Sequence, residues 1–197
     1  MNSLVILDSN INYIVSGLER SGTSMLMQAL HAGGVPVAFD ETRKPDENNP
    51  RGYFELEGGK VINRLIEGSF PFEEYRGCFI KITAYGLKFL PIGRYKIIYS
   101  ERNIEEILDS MEKMMGRRDE DREETRKAFL HLNSMMKKRL IERRDVEVLF
   151  VNYNEIIINP RPYMEEIASF IGCDDIDVDA MVEAVDIKLY RQRREVS

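Results

Sequence analysis

The chain has 197 residues, 43% hydrophobic and 31% charged, with a formal net charge of −6. That composition supplies enough apolar surface for one core and excludes wholesale disorder. The acidic balance and the lack of a long basic run exclude a protein that coats nucleic acid, so any anionic partner must be held by a local pocket.

In chain order, the apolar run Leu4 to Leu7 is broken by Asp8 and has no basic flank. It is too short for a signal peptide, and no stretch reaches the roughly 18 apolar residues of a membrane span. Tyr13-Ile-Val-Ser16 reads as a buried strand that stops at Gly17. Met25-Leu-Met-Gln-Ala-Leu30 is a run of strong helix formers ending at Gly33-Gly34, residues that terminate a helix by entering φ > 0. From Val35 to Gly59 the chain holds Pro36, Pro45, Asn48-Asn-Pro50 and several glycines. Such a segment is expected to be mostly turns, and its length marks it as a candidate wall of a substrate site.

A helix is expected over Lys60 to Ile66, a second strand over Cys78-Phe-Ile-Lys-Ile82 and a third over Arg94-Tyr-Lys-Ile-Ile-Tyr99. Ile104, Ile107, Leu108, Met111, Met114 and Met115 recur at helical spacing and form one apolar stripe. Arg117 to Lys127 is charged with mixed signs, the pattern of a solvated helix face or exposed connection. Val146 to Val151 reads as a fourth strand. After Asn159-Pro-Arg-Pro162, a helix carries Met164, Ile167, Ala168 and Ile171 on one side and closes at Gly172. Cys78 and Cys173 lie far apart with no CxxC spacing, so neither a disulfide framework nor a zinc site is expected. Strands alternating with helices predict a three-layer α/β fold, a central, mostly parallel sheet flanked by helices, with the ligand at the carboxyl ends of the strands. The expectation is one cytoplasmic domain over residues 1–197.

Gly17-Leu-Glu-Arg-Ser-Gly-Thr-Ser24 follows the first strand and opens the first helix. Amide groups and the positive dipole end at such a junction form an anion cradle, so this is a P-loop fold in outline. The spacing matches G-x-x-x-x-G-K-[ST] except that Thr23 stands where a nucleoside triphosphatase has its lysine. The nearby cation is Arg20, and apart from Glu101 no acidic residue ends a neighbouring strand as a metal ligand would. No metal is expected.

Arg20-Ser-Gly-Thr-Ser24 resembles the first signature of the sulfotransferases, enzymes that use 3′-phosphoadenosine 5′-phosphosulfate (PAPS) as co-substrate. The resemblance implies that Arg20 and the N–H and hydroxyl groups of Ser21, Gly22, Thr23 and Ser24 hold the 5′-phosphosulfate. A guanidinium and amide donors suit a sulfuryl group, which bears less charge than a terminal phosphoryl group. The family's second signature, an arginine at a strand end and a serine eight positions later, is matched by Arg102 and Ser110 and implies a 3′-phosphate site. Ser110 lies beside the apolar stripe and can face inward. Val148 to Pro160, followed by Phe170-Ile-Gly172, is similar to the family's last strand, turn and helix, and Tyr153 aligns with a tyrosine that approaches the adenine.

Sulfuryl transfer needs a base. Cytosolic members carry Lys-x-His at a strand end, and here Lys81-Ile-Thr83 keeps the lysine without the histidine. Neither His31 nor His131 is suitably placed, so a carboxylate is expected. Asp40-Glu-Thr-Arg43 resembles a segment of the tyrosylprotein sulfotransferases whose second glutamate is taken as the base, which makes Glu41 the first candidate. Glu55, in Asn49-Pro-Arg-Gly-Tyr-Phe-Glu55, is the reserve, in a segment similar to ones in bacterial sulfotransferase-like proteins. Lys81 would stabilise the bridging oxygen as it leaves, or snorkel from its strand.

The resemblance thus implies transfer from PAPS to a hydroxyl or amine of a small-molecule or glycan acceptor, by in-line attack. Two alternatives stay open. One is a PAPS- or PAP-binding module of the same fold without catalysis, favoured by the missing histidine, by Glu19 where relatives often have proline, and by the lack of a C-terminal glycine-rich loop. The other is an ATP-dependent phosphotransferase. The basic tail from Lys188 to Arg194 reads as a solvated end or as further cations for the 3′-phosphate. With so short a chain the acceptor cavity is open or completed by a second subunit in a homo-oligomer.

Overall fold

The computed structural model describes residues 5–47 and 49–189. Its central strand β1, Asn12–Gly17, is buried at all positions and pairs on both edges. β2 (Phe79–Lys81) lies on one side, β3 (Tyr95–Glu101) on the other, and β4 (Val146–Asn152) outside β3. Every pairing is parallel, in the order β2-β1-β3-β4. The chain leaves β1 through α1 (Thr23–Ala32) to reach β2, then crosses back to form β3. The strand order therefore reverses at β1, and a crevice opens beyond its carboxyl end.

Side-chain alternation divides the core into two layers, because successive residues of a strand point to opposite faces. Tyr13 and Val15 pack with Leu26, Met27 and Leu30 of α1, and with α6 (Pro160–Ile171) and α7 (Val178–Ala184). Ile14 points the other way, toward α2 (Val61–Ile66), α3 (Ile104–Met115) and α4 (Arg122–Glu142). Burial of a residue such as Ile14, Ile97 or Met27, each fully enclosed, contributes about 1.5–3 kcal/mol. The helical stripe falls on α3, whose first turn is capped by Asn103 accepting from the amides of Glu105 and Glu106. Gly116 and Gly172, both left-handed, close α3 and α6.

One feature extends the sequence reading and two depart from it. The mixed-charge stretch leads into α4, a helix of 21 residues with only Met136 and Leu140 buried. Ion pairs hold its start: Arg122 reaches Glu105 and Asp109 at 2.8 Å and Glu112 at 3.0 Å. α5 (Tyr153–Ile158) follows β4 without a turn, capped by Asn152 accepting from Asn154 N. α7 also appears unannounced, capped by Asp177. The basic tail from residue 190 lies outside the described residues. Among the described residues both cysteines are free, and no helix is long and apolar enough to cross a membrane.

Arg143 and Asp145 join the turns that launch β3 and β4. Asp145 accepts from Arg143 Nε at 2.9 Å and from Gly93 N at 3.0 Å, while Arg143 also donates to Leu90 and Pro91 carbonyls. The Arg143 guanidinium holds the Asp145 carboxyl well below the usual carboxylate range. A depressed folded value stabilises above the unfolded pKa of about 3.9 and is lost as pH falls toward the folded one. Asp145→Asn is accordingly expected to lower Tm by about 2–6 °C at pH 7, in thermal denaturation followed by circular dichroism. The gap to wild type should shrink steadily below about pH 4, and a gap independent of pH would contradict this.

Candidate active site

The loop from Gly17 to Ser24 is shaped by what lies behind it. Gly17 pairs in register with Ser100, whose hydroxyl donates to Ser21 O at 2.7 Å. Gly22 has φ +97°, and a Cβ there would lie 2.1 Å from Tyr153 Cδ2, so only glycine lets the loop pass under that ring. Arg20 itself takes the left-handed conformation, φ 64°. Helix geometry leaves the first amides of α1 without intrahelical acceptors; the first to donate backward is Leu26, to Gly22 O at 3.2 Å. Gly22, Thr23 and Ser24 line a cavity of about 320 Å³ at this end of the sheet.

Ser21 does not line that cavity. Its N–H donates to Leu18 O at 3.2 Å, and its hydroxyl is buried with no hydrogen-bond partner among the described residues. The tight turn after Leu18 points Ser21 into the protein, where it shapes the loop.

On the β2 side, Lys81 emerges from the strand end with a side chain only 7% exposed. Its ammonium donates to Ser24 Oγ at 3.1 Å and to Tyr53 O at 2.5 Å, and pairs with Glu55 Oε1 at 2.8 Å. Burial presses the Lys81 ammonium below its ordinary pKa, with Glu55 opposing. Arg43 holds the other Glu55 oxygen at 3.2 Å and stacks on the Tyr53 ring at 3.4 Å, while the Tyr53 hydroxyl is bound to Asp46. The long turn segment is thereby fastened across the loop.

On the β3 side, Arg102 follows the strand end. Its Nη1 donates to Arg20 O at 3.0 Å and its Nε to Glu106 Oε2 at 3.1 Å, and its guanidinium carbon lies 4.7 Å from the Tyr153 ring centre. Ser110, buried on α3, accepts from Arg20 Nε at 2.9 Å. Burial lowers the Arg20 pKa, with the guanidiniums of Arg102 and Arg43 adding to it and Tyr53 opposing. Arg20, Arg102, Ser110 and Tyr153 all line the cavity, as do Lys81 and Glu55. Five cations and three carboxylates line it in total, a net positive lining within a chain of net charge −6.

Glu41 is exposed and outside this lining. Asp40 accepts from the amides of Thr42 and Glu57 at 2.8 and 2.5 Å, and the turn so formed puts Glu41 at its tip. Glu55, the reserve candidate, lines the cavity where Glu41 does not; Gly59 makes room for it, since a Cβ there would lie 3.0 Å from Glu55 Oε2. Glu101 is committed to Lys137 at 2.8 Å and to Asn133 at 3.2 Å, and neither histidine lines the cavity. Among the described residues no cluster of three or more metal-binding side chains occurs. Sequence reasoning missed Glu106 and Lys113; their helical spacing from Arg102 and Ser110 was the available signal. It also missed the Tyr53 carbonyl, for which no local signal exists.

The chain matches no protein-family profile and no curated protein sequence. Its fold is that of the sulfotransferases. Similar solved structures include the sulfotransferase domain from the Synechococcus PCC 7002 olefin synthase, with a TM-score of 0.59 at 17% identity, covering 90% of this chain and 78% of that one. A mouse sulfotransferase complexed with PAP follows at TM-score 0.51 and 16% identity, covering 91% and 63%. Retinol dehydratase in complex with androsterone and the inactive cofactor PAP stands at 0.50 and 14%, covering 93% and 66%. The chain thus spans just under two thirds of the latter two. At these identities the likeness defines the fold alone.

Proposed function

We propose that this chain is a sulfotransferase that takes PAPS and a hydroxyl or amine acceptor borne by a small molecule or glycan. The observation that carries the reading is the grouping of donors in one cavity: Lys81 with Ser24 and the α1 amides on one side, Arg20, Arg102 and Ser110 on the other. Two separate cationic groups suit a nucleotide charged at both its 5′ and 3′ positions better than the single charged chain of a triphosphate. Thr23 in place of the lysine, and Glu101 tied to Lys137, weigh in the same direction.

PAPS, when bound, supplies the sulfuryl group and leaves as the bisphosphate PAP. Lys81 and Ser24 receive the 5′ end, and the ammonium stabilises charge on the departing oxygen. Arg102 and Ser110 hold the 3′-phosphate. Arg20, assigned to the 5′ end by resemblance, joins them because its side chain is directed onto Ser110. Tyr153 adjoins the adenine. Glu55 is oriented by Lys81 and Arg43 and takes the acceptor's proton. Clamping the reactants in one orientation lowers the barrier without a covalent enzyme intermediate.

A second reading, a binding module without catalysis, is favoured by one observation: both Glu55 oxygens are already engaged by cations. Incubation with sulfur-labelled PAPS and a panel of alcohols, phenols, amines and glycans separates the two. Label in an acceptor is the expected result. Binding of PAP with no transfer to any acceptor would leave the binding module, and binding of ATP with magnesium in preference to PAP would overturn both.

A further inference from the structure

Among the described residues Glu106 is the one fully buried carboxylate, 1% exposed. An ionised group in that position costs several kcal/mol unless its partners are well placed, so its surroundings are informative. Its Oε2 accepts from Arg102 Nε at 3.1 Å and from Asn154 Nδ2 at 2.9 Å. Asn154 in turn accepts from the backbone N–H of Asn103 at 2.9 Å. The carboxylate thereby ties the first turn of α3 to the first turn of α5, one helical turn beyond Arg102.

The guanidinium it holds is constrained elsewhere too. Nη1 is fixed on Arg20 O at 3.0 Å, and the guanidinium carbon lies over the Tyr153 ring, 4.7 Å from its centre. A planar fork gains selectivity only when its plane is set in advance. Glu106 does not line the cavity, whereas Arg102 and Ser110 do, so any effect of Glu106 on a ligand passes through Arg102.

We propose that Glu106 is a positioning residue that sets the preference for a nucleotide carrying a 3′-phosphate, by fixing the plane and reach of Arg102 beside Ser110. The inference rests on the proposed function. It goes beyond it in assigning selectivity to a carboxylate that touches no ligand. A mere electrostatic effect has the opposite sign, because removing a negative charge near the site strengthens binding of every anion.

Calorimetric titrations with adenosine 3′,5′-bisphosphate and adenosine 5′-monophosphate test it on wild type, Glu106→Gln, Glu106→Asp and Arg102→Ala. Wild type is expected to prefer the bisphosphate. Glu106→Gln should lose about tenfold of that preference, on the order of one oriented charge-assisted hydrogen bond, with monophosphate affinity within about threefold of wild type. The retained monophosphate affinity shows that the loop is folded. Glu106→Asp, which keeps the charge but withdraws it by one methylene, should lose part of the preference, and Arg102→Ala most of it. An undiminished or increased preference in Glu106→Gln, or a Glu106→Asp variant equal to wild type, would overturn the inference while leaving the proposed function standing. A wild type without the preference would overturn both.

Discussion

Replacing Lys81 by methionine is expected to lower the rate of sulfuryl transfer by about 10²- to 10³-fold, the loss seen when one donor aimed at developing charge is removed. Methionine keeps the length and the apolar stem, which is buried between β2 and the turn segment, and removes only the ammonium. That ammonium touches Ser24 of the loop and Glu55, so its loss should fall mainly on kcat. The pH dependence adds an independent check. Burial places the Lys81 pKa below its ordinary value, with Glu55 opposing. Activity that needs the charged form is present below that pKa and lost as pH rises through it, earlier than an exposed lysine would dictate. Glu55→Gln removes the opposing charge and should move this alkaline limb to still lower pH. A Lys81→Met enzyme within about threefold of wild type would remove the residue from the chemistry.

Glu55→Gln is expected to lower transfer by about 10²- to 10⁴-fold, the range for loss of a general base, with PAP affinity little changed. Glu41→Gln should leave the rate as it is. The contrast follows from position: Glu55 is 15% exposed and 2.8 Å from Lys81, while Glu41 sits at the exposed tip of a turn organised by Asp40. Steady-state kinetics on both variants with a reactive acceptor decides between them. A defect in Glu41→Gln together with a normal Glu55→Gln would reverse the assignment and require the turn segment to rearrange on binding.

The strands and amphipathic helices were legible because their periods are local. β1 stands where a short β-branched run ends at glycine, and α3 follows a stripe at three and four. A mostly parallel sheet followed from alternation of the two element types, while the strand order did not. What escaped depends on distant partners. α4 has no apolar stripe over its first turns and is held by Arg122 on three acids of α3, contacts that span ten to seventeen residues. α5 begins directly at the end of β4 without a glycine or proline to announce it. The loop was marked by its spacing, and Arg102 and Ser110 by the family resemblance, but the pairing of Arg20 with Ser110 crosses 90 residues. The position of Glu41 outside the cavity has the same origin, since a turn closed by Asp40 onto Glu57 cannot be read from neighbouring residues.

Binding of adenosine 3′,5′-bisphosphate in the presence of a metal chelator, measured by calorimetry and by the shift in Tm, tests the central claim most directly. The account predicts saturable binding and, at about 100 times Kd, stabilisation of about 2.7 kcal/mol, with ATP and magnesium weaker by at least about tenfold, or 1.4 kcal/mol. Absence of bisphosphate binding, or equal or tighter binding of ATP with magnesium, would contradict it.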